Sequence, residues 1–243
     1  MKSVLKPKSS ITQSTLNQAR ALYYDFFAGF FLYELLDSRF DLFIAQIDIL
    51  ATSPLNESDL PYFRALKDAL LSTNADAIKR EYSQIFNIPF ASKKADSALC
   101  DDEDSALDST QDSTHFKDST DSTQKAVHIF LYLSHYLEGC INGSSLLEAK
   151  EFVKKSKFRL NKEGFKESEE HFGFLLLFMR YSLQDSAVQD STLNASEIFN
   201  ALLRPMASVI AESLAECENL HCYHLVGALL KSFIKVEEQI CSD

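Results

Sequence analysis

Two groups of side chains in this sequence could carry chemistry. The first is the adjacent pair Glu170 and His171, a carboxylate and an imidazole at the start of a strongly apolar stretch. The second is Cys217, His221 and His224, whose spacing places all three on one face if the segment is helical. Thiolate and imidazole are preferred zinc ligands, so the second group is a candidate metal site. A plain packing helix is the alternative interpretation.

No other pattern in the sequence points to catalysis. The chain has no Gly-x-x-x-x-Gly-Lys phosphate loop, no His-Glu-x-x-His zinc motif and no Gly-x-Ser-x-Gly nucleophile turn. We therefore expect a protein that is not an enzyme and that needs no cofactor. For the carboxylate and imidazole pair, the alternative to a binding site is a capped helix start with a satisfied histidine.

The most apolar stretch of the chain, residues 165–183, positions this pair. From Phe172 to Met179 the one non-apolar residue is Gly173, so no polar stripe remains to face water. Arg180 ends the run well before the ~20 apolar residues that are needed to span a membrane. The pattern predicts the buried central helix of a soluble domain.

Ser168 is a suitable N-cap for this helix, because its hydroxyl can accept a hydrogen bond from a first-turn amide. Glu169 and Glu170 follow, where the helix dipole favours negative charge. On this prediction Glu170 and His171 lie in the first turn, and their side chains can reach solvent.

Helical periodicity and caps recur along the chain. Thr15 and Ser145 open capping boxes, Asn74 is a candidate N-cap, and Pro205 predicts a kink. With only 6 Gly and 5 Pro, an all-β fold is disfavoured. We predict an all-α fold: one domain over residues 1–243, a bundle of roughly eight or nine helices around the buried central helix. The other predicted helices cover about 15–35, 39–51, 58–71, 75–86, 145–157, 196–215 and 221–238, with a further apolar segment at 127–137.

Two segments rich in Asp, Ser and Thr interrupt this pattern, at about 92–124 and about 184–193. They are too polar to fold alone, so we interpret them as loop expansions. The net charge is −11, but nine acids and two lysines between residues 95 and 125 supply −7 of it and leave −4. No basic face is visible, and nucleic-acid binding is not expected.

The five cysteines are scattered and odd in number, which is typical of reduced thiols rather than a disulfide framework. The first ten residues contain no apolar signal core and no twin arginine. We therefore expect a cytoplasmic protein without a membrane span. Either a monomer or a dimer formed by exchange of helices is compatible with long loops.

Four stretches, in order, resemble the TorD/DmsD family of cytoplasmic chaperones for molybdoenzymes. Glu169-Glu-His-Phe-Gly-Phe-Leu resembles the hallmark Glu-Pro-x-Asp-His that opens the buried helix of the family. Here Ser168 or Glu169 replaces the proline, and Glu170 replaces the aspartate. The other three stretches are residues 81–89, 136–152 and 221–229, which resemble the aromatic-x-x-Leu-Phe-x-Gly-Pro segment, the approach to the hallmark and the closing helix.

The resemblance implies a non-catalytic chaperone that binds the twin-arginine signal peptide of a molybdenum or tungsten oxidoreductase. It would hold the apo form of that client for cofactor insertion before export. Glu170 and His171 would lie at the polar end of the signal-peptide site, and Tyr82, Ile85 and Phe86 would line its apolar side. Residues 157–161 and 165–167 look most like the formate dehydrogenase branch of the family.

Two other functions stay open at this point. One is a metal-binding helical bundle or enzyme that uses Cys217, His221 and His224. The other is a helical interaction scaffold whose acidic segment at 92–124 recruits partners.

Overall fold

Helices form almost all of the regular structure in the computed structural model, which describes residues 13–86, 128–160, 165–185 and 194–242. Within these ranges there are nine helices and no strand, so the predicted all-α bundle is confirmed. The helices are α1 Gln13–Phe31, α2 Phe40–Thr52, α3 Leu60–Leu71, α4 Ala75–Ile85, α5 Leu133–Glu138, α6 Ser144–Lys154, α7 Phe172–Asp185, α8 Ala195–Ala215 and α9 Tyr223–Cys241. Short 3-10 turns lie at Tyr33–Leu35 and Glu57–Asp59.

The predicted central helix is α7, and it packs most extensively against α1. Phe172, Leu176 and Phe178 have no exposed surface, which confirms its burial. A Cβ atom added at Gly173 would lie 2.5 Å from Leu32 Cδ2 and 2.7 Å from the Phe31 carbonyl oxygen. Glycine is therefore needed where the end of α1 crosses the start of α7.

A buried ion pair joins the first and last described helices. Arg20 in α1 donates from Nε and Nη2 to the two carboxylate oxygens of Glu237 in α9, at 2.7 and 2.8 Å. The Tyr24 hydroxyl donates to the same carboxylate at 2.6 Å. Because every oxygen of this buried carboxylate has a donor, the pair is fully compensated.

Of the predicted N-caps Asn74, Thr15 and Ser145, only the first is found. Asn74 is confirmed as N-cap of α4, since its Oδ1 accepts from the Ala77 amide at 2.9 Å. Thr15 lies inside α1, so it is not the cap. Ser145 does not cap α6 either, because the Glu138 carboxylate accepts from the amides of Ser144 and Ser145 at 2.8 and 2.7 Å.

The helix α8 contains a π-helical turn at Phe199–Leu203, directly before Pro205. A proline cannot donate to the preceding turn, so the irregularity lies where the prediction placed it. By length and apolar composition α8 could cross a membrane, but half of its most apolar window is buried in the protein. A core helix passes the same test, and the feature is weak evidence for a span.

The chain divides into two units, one formed by residues 1–87 and 127–243 and the other by residues 88–126. The described residues all belong to the first unit. The predicted insertion at 92–124 lies outside the described residues, as do positions 186–193 of the shorter one. The boundaries of a single domain therefore stay a prediction.

Candidate peptide-binding site

Residues 129–132 lie between the end of α4 and the start of α7 and pair with both. Phe86 forms a parallel bridge with Ile129, and the Ile129 amide donates to the Ile85 carbonyl at 2.9 Å. Tyr132 forms an antiparallel bridge with His171. We call this contact region the junction. It consists of Tyr82, Ile85, Phe86, residues 129–132 and residues 170–172.

Glu170 is a structural part of the junction, with no exposed surface. Its carboxylate accepts hydrogen bonds from the amides of Ser134 at 2.8 Å and Asn142 at 3.0 Å. Ser134 lies in the first turn of α5, whose amides have no partner inside the helix. The carboxylate thus fixes α5 and the loop that follows it to the start of α7. The expectation that this side chain reaches solvent is wrong.

His171 is also buried, with 2 % exposure. Its Nδ1 accepts from the Gly173 amide at 3.2 Å, which places the ring proton on Nε2. Burial lowers the pKa of the imidazole from 6.5 to about 3, so the ring is neutral at physiological pH. A neutral, internally bonded imidazole orients the first turn of α7 rather than offering a charge to solvent.

The three apolar residues predicted for the site belong to the core. Tyr82, Ile85 and Phe86 are 4 %, 2 % and 3 % exposed. The ring of Phe86 lies 5.7 Å from that of Phe31, which in turn lies 4.8 Å from that of Phe172. Ser168 is not the N-cap, since α7 begins at Phe172 and the Ser168 hydroxyl has no partner among the described residues.

The junction therefore brings all five predicted site residues into one region, but it buries every one of them. Direct contact with a peptide would require the junction to open. Their role in signal-peptide binding stays a prediction.

An apolar groove lies beside the junction, with a volume of about 240 Å³. Its floor is formed by the buried Leu32 and Phe174. Its walls carry half-buried apolar side chains that also pack on the core: Phe158, Leu160, Phe165 and Leu177. We call this the apolar groove. The groove was not predicted, although the alternation of apolar and polar residues from 157 to 160 in an otherwise polar stretch was a usable signal.

One of the residues that line this groove is acidic. Glu34 is exposed and lines it. Glu167 is half-buried, and its carboxylate accepts a hydrogen bond from the Tyr132 hydroxyl. Desolvation raises the pKa of Glu167; the Tyr132 hydrogen bond opposes the rise, and the charge of Glu34 adds to it.

The predicted metal group is not assembled. Because α8 ends at Ala215 and α9 begins at Tyr223, Cys217 and His221 lie in the connection and do not share a helix face with His224. The Cys217 thiol donates to the Ser213 carbonyl at 3.0 Å. Across the described ranges, no three His, Cys, Asp or Glu side chains are grouped to hold a metal ion.

The described residues thus form an all-α bundle with a small apolar groove that Glu34 also lines. Residues 103–216 match the family model described as nitrate reductase delta subunit, which is the TorD/NarJ family of molybdoenzyme chaperones. The match covers a little under half of the chain, and the family is the one that the four motifs predict. Searches of curated proteins and of solved structures returned no match.

The family is a non-catalytic family of cytoplasmic chaperones for the maturation of molybdoenzymes. The matched range includes Glu167, Glu170, His171 and the groove residues Phe158, Leu160 and Phe165. It does not include α1 or α4, and the formate dehydrogenase branch is not confirmed.

Proposed function

We propose that this protein is a cytoplasmic, non-catalytic chaperone that binds the twin-arginine signal peptide of a molybdenum or tungsten oxidoreductase. It holds the apo client until the cofactor is inserted, and the client that we propose is a formate dehydrogenase. The observation that carries the proposal is the family match over residues 103–216. The alternatives of a metal-binding bundle and an acidic scaffold have no comparable support.

The geometry of the groove supports a signal peptide as ligand. Such a peptide has a basic segment followed directly by an apolar one. The apolar groove, lined by Phe158, Phe165 and Leu177, offers a place for apolar side chains next to the Glu34 carboxylate. The buried junction would hold the segment that leads into α7. For the peptide to contact the proposed site residues directly, the junction would have to open; these residues are Glu170, His171, Tyr82, Ile85 and Phe86.

The test is calorimetric titration of the full chain with the synthetic signal peptide of a formate dehydrogenase. A peptide with both arginines replaced by lysine and a scrambled peptide serve as controls. Saturable binding that weakens with each control is expected. Absence of binding to any twin-arginine signal peptide would overturn the proposed function, whereas a preference for the peptide of another oxidoreductase would overturn only the choice of client.

A further inference from the structure

Another cleft lies between α1 and α7, at the opposite end of this helix pair from the apolar groove. Residues of α1 between Gln13 and Asp25 and residues of α7 between Arg180 and Gln184 line it. Its volume of about 760 Å³ lies within the roughly 300–1,000 Å³ of ordinary ligand sites. We call it the polar cleft. Because the apolar groove is lined by Leu32 and Phe174, the two sites are separate.

Three charged side chains meet beside the polar cleft, around the carboxylate of Asp25, which is 9 % exposed. Its Oδ1 lies 3.1 Å from Arg39 Nη2 and 3.1 Å from Arg180 Nη1. Its Oδ2 accepts a hydrogen bond from Gln46 Nε2 at 2.8 Å. Among the described residues no other carboxylate lies within 4.0 Å of either guanidinium, so one acid is shared by two cations and the group carries a net charge of +1.

Arg180 is the cation of this group that lines the polar cleft. Its side chain is 39 % exposed, whereas that of Arg39 is 19 % exposed and also donates to the Asp25 carbonyl at 3.0 Å. Within the described part of the chain, the Asp25 carboxylate is the one partner of Arg180. Most of its five N–H donors therefore stay open to a ligand. A planar guanidinium of this kind matches the two oxygens of a carboxylate.

The remaining lining of the polar cleft suits a peptide backbone. Ala21 and Leu183, which are 4 % and 2 % exposed, supply buried apolar surface. Amide and hydroxyl side chains both donate and accept, so they can pair with the N–H and C=O groups of an extended chain. The cleft has five such side chains: Gln13, Ser14, Asn17, Gln18 and Gln184.

We propose that the polar cleft binds an extended peptide segment of a partner protein, and that Arg180 binds the carboxylate of an Asp or Glu in that segment. The excess charge of +1 balances one carboxylate. A phosphorylated residue carries about −1.5 to −2 and fits this single open cation less well. The ligand is thus acidic, in contrast to the basic signal peptide of the proposed function.

The experiment uses four pools of short immobilised peptides, in which the central residue is Glu, Gln, Lys or phosphoserine and the other positions are mixed. Binding of the full chain to each pool is measured by biolayer interferometry. We expect the Glu pool to bind about tenfold more tightly than the Gln pool, as for one charge-assisted hydrogen bond. This preference should weaken as the salt concentration is raised.

Gln184→Glu tests the role of Arg180 and leaves its pair with Asp25 in place. The new carboxylate lies four residues after Arg180 on α7, within reach of the guanidinium, and should remove the preference for Glu. Gln84→Glu is the matched control, because it adds the same charge at an exposed position of α4 that does not line the cleft. It should retain the preference.

Arg180→Gln should remove the preference as well. Since this change also breaks the pair with Asp25, thermal unfolding must show that the variant is folded, and Gln184→Glu keeps the test decisive if it is not. Binding of the twin-arginine signal peptide should be unchanged in Gln184→Glu, so failure of this site leaves the proposed function standing.

Three results would overturn the proposal. The first is equal binding of the Glu and Gln pools by the wild-type chain. The second is a preference for Glu that persists in Gln184→Glu, or that Gln84→Glu removes to the same extent, because general charge effects would then explain it. The third is tighter binding of the phosphoserine pool than of the Glu pool, which would identify a phosphate ligand instead.

Discussion

The Glu170 carboxylate accepts a hydrogen bond at 2.8 Å from the amide of Ser134, 36 residues earlier in the chain. The same carboxylate accepts from Asn142, whose backbone has a positive φ of 61°. One buried side chain thus stabilises a helix start and an unfavourable turn together.

Glu170→Gln should therefore destabilise the fold. The amide replaces one acceptor oxygen with a donor that faces a backbone N–H, and loss of a charged hydrogen bond costs about 1.5–3 kcal/mol. Denaturant unfolding measures the change. Glu169→Gln is the matched control, since the Glu169 side chain makes no hydrogen bond to another described residue; equal stability of the two variants would contradict the assignment.

His171 should make stability dependent on pH. Its pKa in the folded state is about 3 and its ordinary value is 6.5, so between these values the unfolded chain binds a proton that the folded chain does not. Stability should be complete above pH 6.5 and should fall as the pH drops towards 3, by about 1.4 kcal/mol per pH unit for one proton.

His171→Asn isolates this contribution. Asparagine Oδ1 can replace Nδ1 as acceptor for the Gly173 amide but does not titrate. Unfolding free energies measured from pH 7 to pH 4 should fall less steeply for the variant. Parallel curves would show that the imidazole is not the group responsible.

Gly173→Ala tests the crossing of α1 and α7. The new methyl group meets Leu32 and the Phe31 carbonyl oxygen, and overpacking of this kind costs about 1–3 kcal/mol. Adding Leu32→Ala should recover only part of the loss, because the backbone oxygen remains. Full recovery of the thermal midpoint in the double variant would show that the backbone contact is unimportant.

Removal of one charge of the buried ion pair should destabilise the fold strongly. Glu237→Gln leaves Arg20 charged and incompletely paired, and loss of one partner of a buried pair costs about 3–5 kcal/mol. Arg20→Met together with Glu237→Met removes both charges and should be more stable than Glu237→Gln. A double variant that is less stable would mean that the pair contributes more than its own desolvation.

Replacement of residues 92–124 by a short Gly-Ser linker should leave the first unit folded. The bridge between Phe86 and Ile129 places the two ends of the connection side by side. Loop length affects closure by only about 0.6 kcal/mol per doubling. Loss of cooperative unfolding in the deletion variant would show that the segment is needed for the fold.

Local sequence signals predicted much of this fold. The apolar run through Phe172 and Phe178 predicts a buried helix because it leaves no polar face, and Asn74 caps α4 because its partner amide is three residues away. The prediction that Ser145 caps α6 was wrong, because the nearby Glu138 carboxylate accepts hydrogen bonds from the first amides of that helix.

The environment of the site was less predictable. The partners of Glu170 are backbone amides 28 and 36 residues away. Because almost every residue type has the same backbone amide, the sequence gives no signal of these partners. The apolar groove combines Leu32 and Glu34 with Phe158 and Phe165, which only the packing of α7 brings together. Long-range placement of this kind is not encoded in a local pattern.

The pairing of Arg20 with Glu237 also has a consequence for synthesis on the ribosome. The two residues are 217 positions apart, so at roughly 5–20 residues per second the guanidinium waits between roughly ten and forty seconds for its carboxylate. During that interval α1 exposes the Arg20 guanidinium, which is buried in the folded protein, and the aromatic face that α9 later covers. We expect the nascent chain to stay incompletely folded until α9 emerges, so that the protein can act only after its last described helix has been translated.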